Sequence, residues 1–451
     1  MLFLFLVVVV VVVLVFASTS LHAALRTMGN SAGTCCSDGR PQVNELIEEV
    51  QGAAPITHVG SSISPKPSSV KSCFFLDQLN CTEGSTGPLS LPCCQGFWRD
   101  TDSNPIEAHG GSMLQHEGMF YWYGETTKNC WGTSVGVAGV NLYISSSLTG
   151  PWQKYGQIID ATILGNPTLT VMERPKVLYC KENNTFVLWM HVDDAHYQTN
   201  RAAVCTANFP EGPWSLVHVI APGGKPSLDL TVFLDPLNNE CAVLARDARD
   251  IHAPSWSSRK TILSKLTTDF KDVDPACPPL CTWTGDDSFE GMALFYEGGP
   301  PYPQKGQPAR NGAYWIIGSP RKGWTPSPLI AWRSTWGKTL LDQSNSWSRP
   351  NFSMSVPQSF SAAPAAQNML EYALNSQPNW VQQVQDGKGE NYFVYMGDNW
   401  ILGEYEYATN PQDDPNAPLV KASYVWLPFN TPEGKVDIEA RKEWDPAAPF
   451  A

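Results

Sequence analysis

Charge is scarce in this sequence: Asp, Glu, Lys and Arg make up 16% of its 451 residues, and the formal balance is −13. With no basic run to track phosphates, nucleic acid and anionic membrane surfaces are excluded as partners. Signature loops are missing too. No Gly-rich phosphate loop, HExxH pair, EF-hand loop or Ser nucleophile elbow occurs, so kinase, metalloprotease, calcium-switch and esterase readings find no support. No long amphipathic helical pattern interrupts the chain after Phe97. Beyond the N-terminal residues, no apolar run approaches the roughly 20 residues that a membrane helix needs.

The one long apolar run is Leu2 to Phe16, followed by small and polar residues up to Ala23. This pattern predicts a secretory signal peptide over residues 1–23, with an uncleaved anchor as the lesser alternative because no Lys or Arg precedes the run. Secretion permits disulfides, and the 12 Cys form an even set without zinc-type CxxC pairs. Asn80-Cys81-Thr82, Asn183-Asn184-Thr185 and Asn351-Phe352-Ser353 are glycosylation sequons, which suit export. The expectation is a secreted, extracellular glycoprotein. Residues 24–95 hold six of the Cys, a short helical candidate at Val43–Val50 and a Ser/Pro/Lys linker at Ser62–Lys71. They read as a Cys-rich extension tied by disulfides.

From residue 96 to 451 one pattern comes back five times. IEAHGGSMLQHEGMFYWYGE, from Ile106, places a polar entry, an apolar segment, a Glu-Gly turn and an aromatic segment in succession. The order returns at Glu173 (ERPKVLYCKENNTFVLWMHVDD), Ser227 (SLDLTVFLDPLNNECAVLARD), Phe289 (FEGMALFYEGG, then NGAYWIIGS) and Ser376 (SQPNWVQQ, then NYFVYMGDNW). Short apolar and aromatic runs bounded by Gly, Asn and charged turns are paired strands, and repeated pairs are blades. The fold class is therefore all-β, a five-bladed β-propeller with the Cys-rich N-terminal extension. The 17 Trp fit wedges between blades, and some could serve as sugar platforms. Arg321 to Asn375 reads as an enlarged connection between blades four and five, and Tyr424 to Pro428 as the return that closes the ring beside blade one.

These five segments, together and in this order, resemble glycoside hydrolase family 43, over about residues 97–445, with exo-acting galactan 1,3-β-galactosidases as the nearest branch. Hydrolysis of a glycosidic bond needs an acid at the leaving oxygen and a water directed to the opposite face of the ring. The resemblance implies that Glu290 is the general acid and that Asp229 orients it and raises its proton affinity. Ordinary members open blade one with an Asp base. Here Ala108-His109-Gly110-Gly111 stands there, and Gln377 falls where the galactanase branch offers a Gln to place the water. Glu173, Glu125, Tyr197 and Trp324 match sugar-contacting or pocket positions, and His109 lines the central pit or touches an ion. Three departures stand out: Leu228 replaces an Arg, Gly291-Met292 replaces Ala-Pro, and Arg321-Lys322 replaces Cys-Thr. The first implies that a charged partner of the acid is missing.

The implied activity is inverting exo-hydrolysis of β-1,3-galactan or related arabinogalactan glycans. The alternatives are an α-arabinofuranosidase or β-xylosidase of the same fold, or a carbohydrate-binding propeller without catalysis. No cofactor is expected, a structural cation in the central channel being allowed. The expected partner is a poly- or oligosaccharide, with no nucleic acid, no membrane after signal cleavage, and a monomeric state.

Overall fold

In the computed structural model the described residues are 70–71 and 98–450, except 105, 127–129, 132–133, 136–138, 240, 250–258, 299–311, 322–327, 343, 351, 356–372, 400–422, 432–433 and 442. The signal peptide over 1–23, the helix at Val43–Val50 and the disulfides expected in 24–95 lie outside the described residues. Val70–Lys71, at the end of the stretch read as linker, pairs antiparallel with Glu443–Trp444. That end is thus a strand rather than a free tether.

Four antiparallel sheets of four strands and one of three follow in chain order, and no α-helix occurs among the described residues. Their innermost strands are His109–His116, Val171–Cys180, Leu230–Leu234, Glu290–Gly298 and Ser376–Gln385. Each of these touches the next, and the fifth touches the first, so the five sheets form a closed ring. The chain is an all-β, five-bladed propeller. Part of the stretch read as an enlarged connection is strand: Ile330–Ser334 and Trp347–Ser348 complete blade four. Their outer position and mixed polar sequence hide the period that marks inner strands. Ser423–Phe429 is the third strand of blade five, and its Tyr424 and Trp426 pack against Trp122 of blade one.

Both faces of each blade are buried, because each blade is wedged between two others, and this explains the nearly continuous apolar runs. The buried core falls into five clusters, one per seam. Tyr123, Leu142, Leu188 and Met190 fill the seam of blades one and two. Trp189, Leu230 and Leu244 fill that of two and three. Leu263, Met292 and Tyr314 lie between three and four, and Phe295, Trp315, Phe393 and Tyr395 between four and five. The closing seam is the most aromatic: Trp122, Trp152 and Trp426 meet edge-on or tilted, and Trp444 Nε1 donates to the Trp426 carbonyl at 2.9 Å. Aromatic area of this kind dominates packing, and such ring pairs add roughly 0.5–1.5 kcal/mol each beyond burial.

A bulge recurs at the channel-facing start of the inner strands. Register shifts occur just after His109, Glu173, Glu290 and Pro378. In three of them the next residue has positive φ: Gly110 (60°), Arg174 (55°) and Gly291 (58°). A bulged pair re-aims the side chains beside it, so four blades present their opening residues to the channel by one device. The three inner strands of blades one, two and five also meet at Lys176. Its fully buried Nζ donates to the carbonyls of Gly110 (2.6 Å), Gly111 (2.5 Å) and Asn379 (3.1 Å). Burial, aided by the nearby Arg174 cation, pushes this ammonium down to about 7.

Candidate active site

At the openings of the inner strands lies a cavity of about 260 Å³, lined by Glu173, Arg174, His191, Tyr197, Leu228, Asp229, Arg259, Glu290, Arg321 and Gln377. Five of the eight residues singled out in the sequence, Glu290, Asp229, Gln377, Glu173 and Tyr197, therefore share one space. They come from four blades.

Arg174 organises one side. The bulge turns it into the channel, where Nη2 lies 3.1 Å from Asp229 Oδ2 and donates to Gln377 Oε1 at 2.7 Å. Nη1 reaches Asn379 Oδ1. A non-glycine residue in the left-handed region costs roughly 1–2 kcal/mol, and these bonds over-determine the conformation. Its own backbone N–H is taken by Glu125 Oε2 at 2.8 Å. Glu125 is buried beneath it, outside the cavity lining, and this bond to Arg174 links it to the site. Burial, and then the charge of Glu173, push its carboxyl up to about 8.

Burial alone would raise Asp229, but Arg174 and the Gly291 N–H outweigh it and hold the carboxyl below its ordinary range. Its Oδ2 accepts from Gly291 N at 2.9 Å, so Asp229 grips the backbone next to Glu290. Gln377 is buried, donating through Nε2 to Ser319 Oγ at 3.1 Å. Together with the Arg174 bond this fixes which way the amide oxygen faces.

Across the cavity, Glu173 accepts from Tyr197 OH at 2.5 Å and pairs with His191 Nδ1 at 3.0 Å. His191 Nε2 is 3.0 Å from Asp193 Oδ2. Burial would lower this imidazole, yet its bonds to Asp193 and Glu173 prevail and raise it to about 10. The ring is a cation at neutral pH, clamped between two carboxylates. Burial, and then the Glu173 charge, raise the Tyr197 phenol, which stays a donor.

The remaining wall is one that the sequence did not foretell. Arg259 Nη2 lies 3.1 Å from Glu290 Oε2 and also pairs with Asp247 Oδ2. Asp247 Oδ1 takes Arg321 Nη2 at 3.0 Å, and Arg321 Nη1 reaches Ser288 Oγ. The partner expected to be lost with Leu228 is supplied by Arg259, from the start of another strand. No local pattern marks Arg259, since only the ring brings it to Glu290. Burial pushes both guanidiniums down to about 10, and they remain charged at neutral pH.

His109 is buried and stacks on Tyr424 at 4.9 Å, away from the cavity lining. Trp324 lies outside the described residues. Among the described residues no three His, Cys, Asp or Glu side chains gather as a metal ion would require, and Cys180, Cys205, Cys241, Cys277 and Cys281 are free thiols.

No family model matches the sequence, and no curated protein matches it. Solved structures do. An exo-β-1,3-galactanase from Phanerochaete chrysosporium, crystallised with β-1,3-galactotriose, is 23% identical over 77% of this chain and 66% of that one, with a TM-score of 0.57. An exo-β-1,3-galactanase from Clostridium thermocellum is 24% identical over 78% of this chain and 66% of its own, TM-score 0.57. A family-43 β-1,3-galactosidase crystallised with galactodeoxynojirimycin is 22% identical over 77% of this chain and 98% of its own, TM-score 0.57. The chain thus spans about two thirds of the two galactanases. At these identities the likeness establishes the fold, the five-bladed propeller that these glycosidases share.

Proposed function

We propose that this chain is a secreted, inverting exo-glycoside hydrolase that removes terminal galactose from β-1,3-galactan or related arabinogalactan glycans. One observation carries the reading: Glu290, Asp229 and Gln377, from three blades, share a cavity of about 260 Å³. A site of that size lies just below the roughly 300–1,000 Å³ usual for ligand pockets and suits one terminal sugar. The galactanases and galactosidase of the same fold supply the substrate class.

In this reading Glu290 protonates the leaving oxygen as the C1–O bond breaks. Asp229 fixes the acid through the Gly291 N–H, a bond of 2.9 Å. Its charge is matched by Arg174, so we assign it positioning as its main role, above like-charge repulsion. An amide is a very poor base, so Gln377 places the attacking water through a hydrogen bond to Oε1, and the proton that the water sheds on bonding to C1 passes to solvent. Glu173 and Tyr197 hold sugar hydroxyls. Export is supported by the apolar leader and the sequons, of which Asn183 lies exposed in a turn.

A second reading, a sugar-binding propeller without hydrolysis, is favoured by the ion pair that Glu290 makes with Arg259. Incubation with β-1,3-galactan and with aryl β-galactoside, α-arabinofuranoside and β-xyloside separates the readings. Galactose release that disappears in Glu290→Gln supports the first. Oligosaccharide binding without product supports the second, and release of arabinose or xylose alone moves the substrate class.

A further inference from the structure

We propose that Arg259 is a positioning residue that sets the proton affinity of Glu290, and that Asp247 holds it to that task. The functional weight of this inference rests on Glu290 being the general acid, whereas its physical part stands on geometry alone. Asp247 is fully buried on the second strand of blade three. Its backbone N–H donates to Asp229 O at 2.8 Å, and its carbonyl accepts from Leu228 N at 2.8 Å. Its two carboxylate oxygens take different guanidiniums, Oδ2 that of Arg259 and Oδ1 that of Arg321 at 3.0 Å. One aspartate therefore ties the backbone of Asp229 to both cations beside the acid.

Among the described residues, the charges around Glu290 pair as follows. Asp229 is compensated by Arg174 at 3.1 Å. Glu173 and Asp193 share the His191 cation, and Tyr197 donates to Glu173. Asp247 offsets only one of the two guanidiniums it holds. Glu290 as a carboxylate supplies a second anion to that cluster, and as a neutral acid it withdraws it. With Arg259 at 3.1 Å, removal of that cation removes a close force opposing protonation of Glu290. A cation this close lowers a carboxyl by about one to three pH units.

The test is a ¹³C-carboxyl NMR titration of Glu-labelled protein, with the Glu290 signal identified by its disappearance in Glu290→Gln. Arg259→Met is expected to raise the Glu290 midpoint by about one pH unit or more, and Arg259→Lys to leave it within about half a unit of wild type. A midpoint in Arg259→Met that stays in place or falls overturns the proposal. Should that variant fail to fold, Arg259→Gln keeps a donor for Asp247 without the charge and carries the same expectation. The alkaline limb of kcat/KM, read in parallel, separates the two claims. A limb that follows the NMR midpoint upward supports both. A moving midpoint with a fixed limb, or with no hydrolysis by wild type, removes Glu290 as the general acid and leaves the role of Arg259 standing.

Discussion

Gly291→Ala places the added carbon at the most constrained point of the site. Gly291 has φ +58°, and a Cβ there would lie 2.7 Å from Gln377 Cγ and 3.0 Å from its Cδ. The backbone term is roughly 1–2 kcal/mol for an L-residue in the left-handed region. The steric term comes from Gln377, which cannot yield freely because Arg174 and Ser319 hold both ends of its amide. Displacing it weakens a hydrogen bond to a charged group, worth about 1.5–3 kcal/mol. The sum is about 2.5–5 kcal/mol in urea unfolding. Gly389→Ala is the control, with φ +81° and nothing within 4 Å. It should show only the backbone term, with hydrolysis unchanged. In Gly291→Ala the Gln377 amide, which we propose places the water, moves, and misplacement of about 1 Å can lower kcat/KM by ~10²-fold. Equal stability losses in the two variants, with full activity in Gly291→Ala, would refute the packing argument.

Other expectations follow from the same geometry. Glu290→Gln should reduce kcat by about 10²–10⁴-fold and also lower stability, because the buried Arg259 loses its carboxylate partner; a variant retaining wild-type turnover removes the acid assignment. His191 is raised from 6.5 to about 10 on folding, so its contribution is fully present below pH 6.5 and is lost as pH rises through 10. The stability gap between wild type and His191→Gln, measured by urea unfolding, should shrink across that window, and a constant gap contradicts the clamp. Lys176→Met leaves three carbonyls without their donor, at about 1–3 kcal/mol for each buried group left unsatisfied. Loss of several kcal/mol is therefore expected, and near-wild-type stability would show that the ammonium does not hold blades one, two and five together.

The blades were legible because burial on both faces makes their strands almost wholly apolar, and the turns between them are written in Gly and Asn. Blade four's outer strands escaped notice because Trp347–Ser348 is only two residues long. The acids at blade openings could be found for a similar reason: each sits at the boundary between a polar entry and an apolar strand. The bulges beside them were hidden, since Arg174 adopts φ 55° without the glycine that would have announced it. Arg259 and Asp247 were missed altogether. Their meaning lies in distances across a blade junction, which no spacing along the chain encodes. The sequence instead pointed to a vacancy at Leu228, and the fold fills it from elsewhere.

The most direct test of the account is proton NMR of the first product released from β-1,3-galactan by the purified protein. Inverting exo-hydrolysis of a β-linkage predicts galactose appearing first as the α-anomer, with the β-anomer growing only through mutarotation. Galactose released first as the β-anomer would contradict water placement by Gln377, and no release alongside measurable oligosaccharide binding would contradict hydrolysis itself.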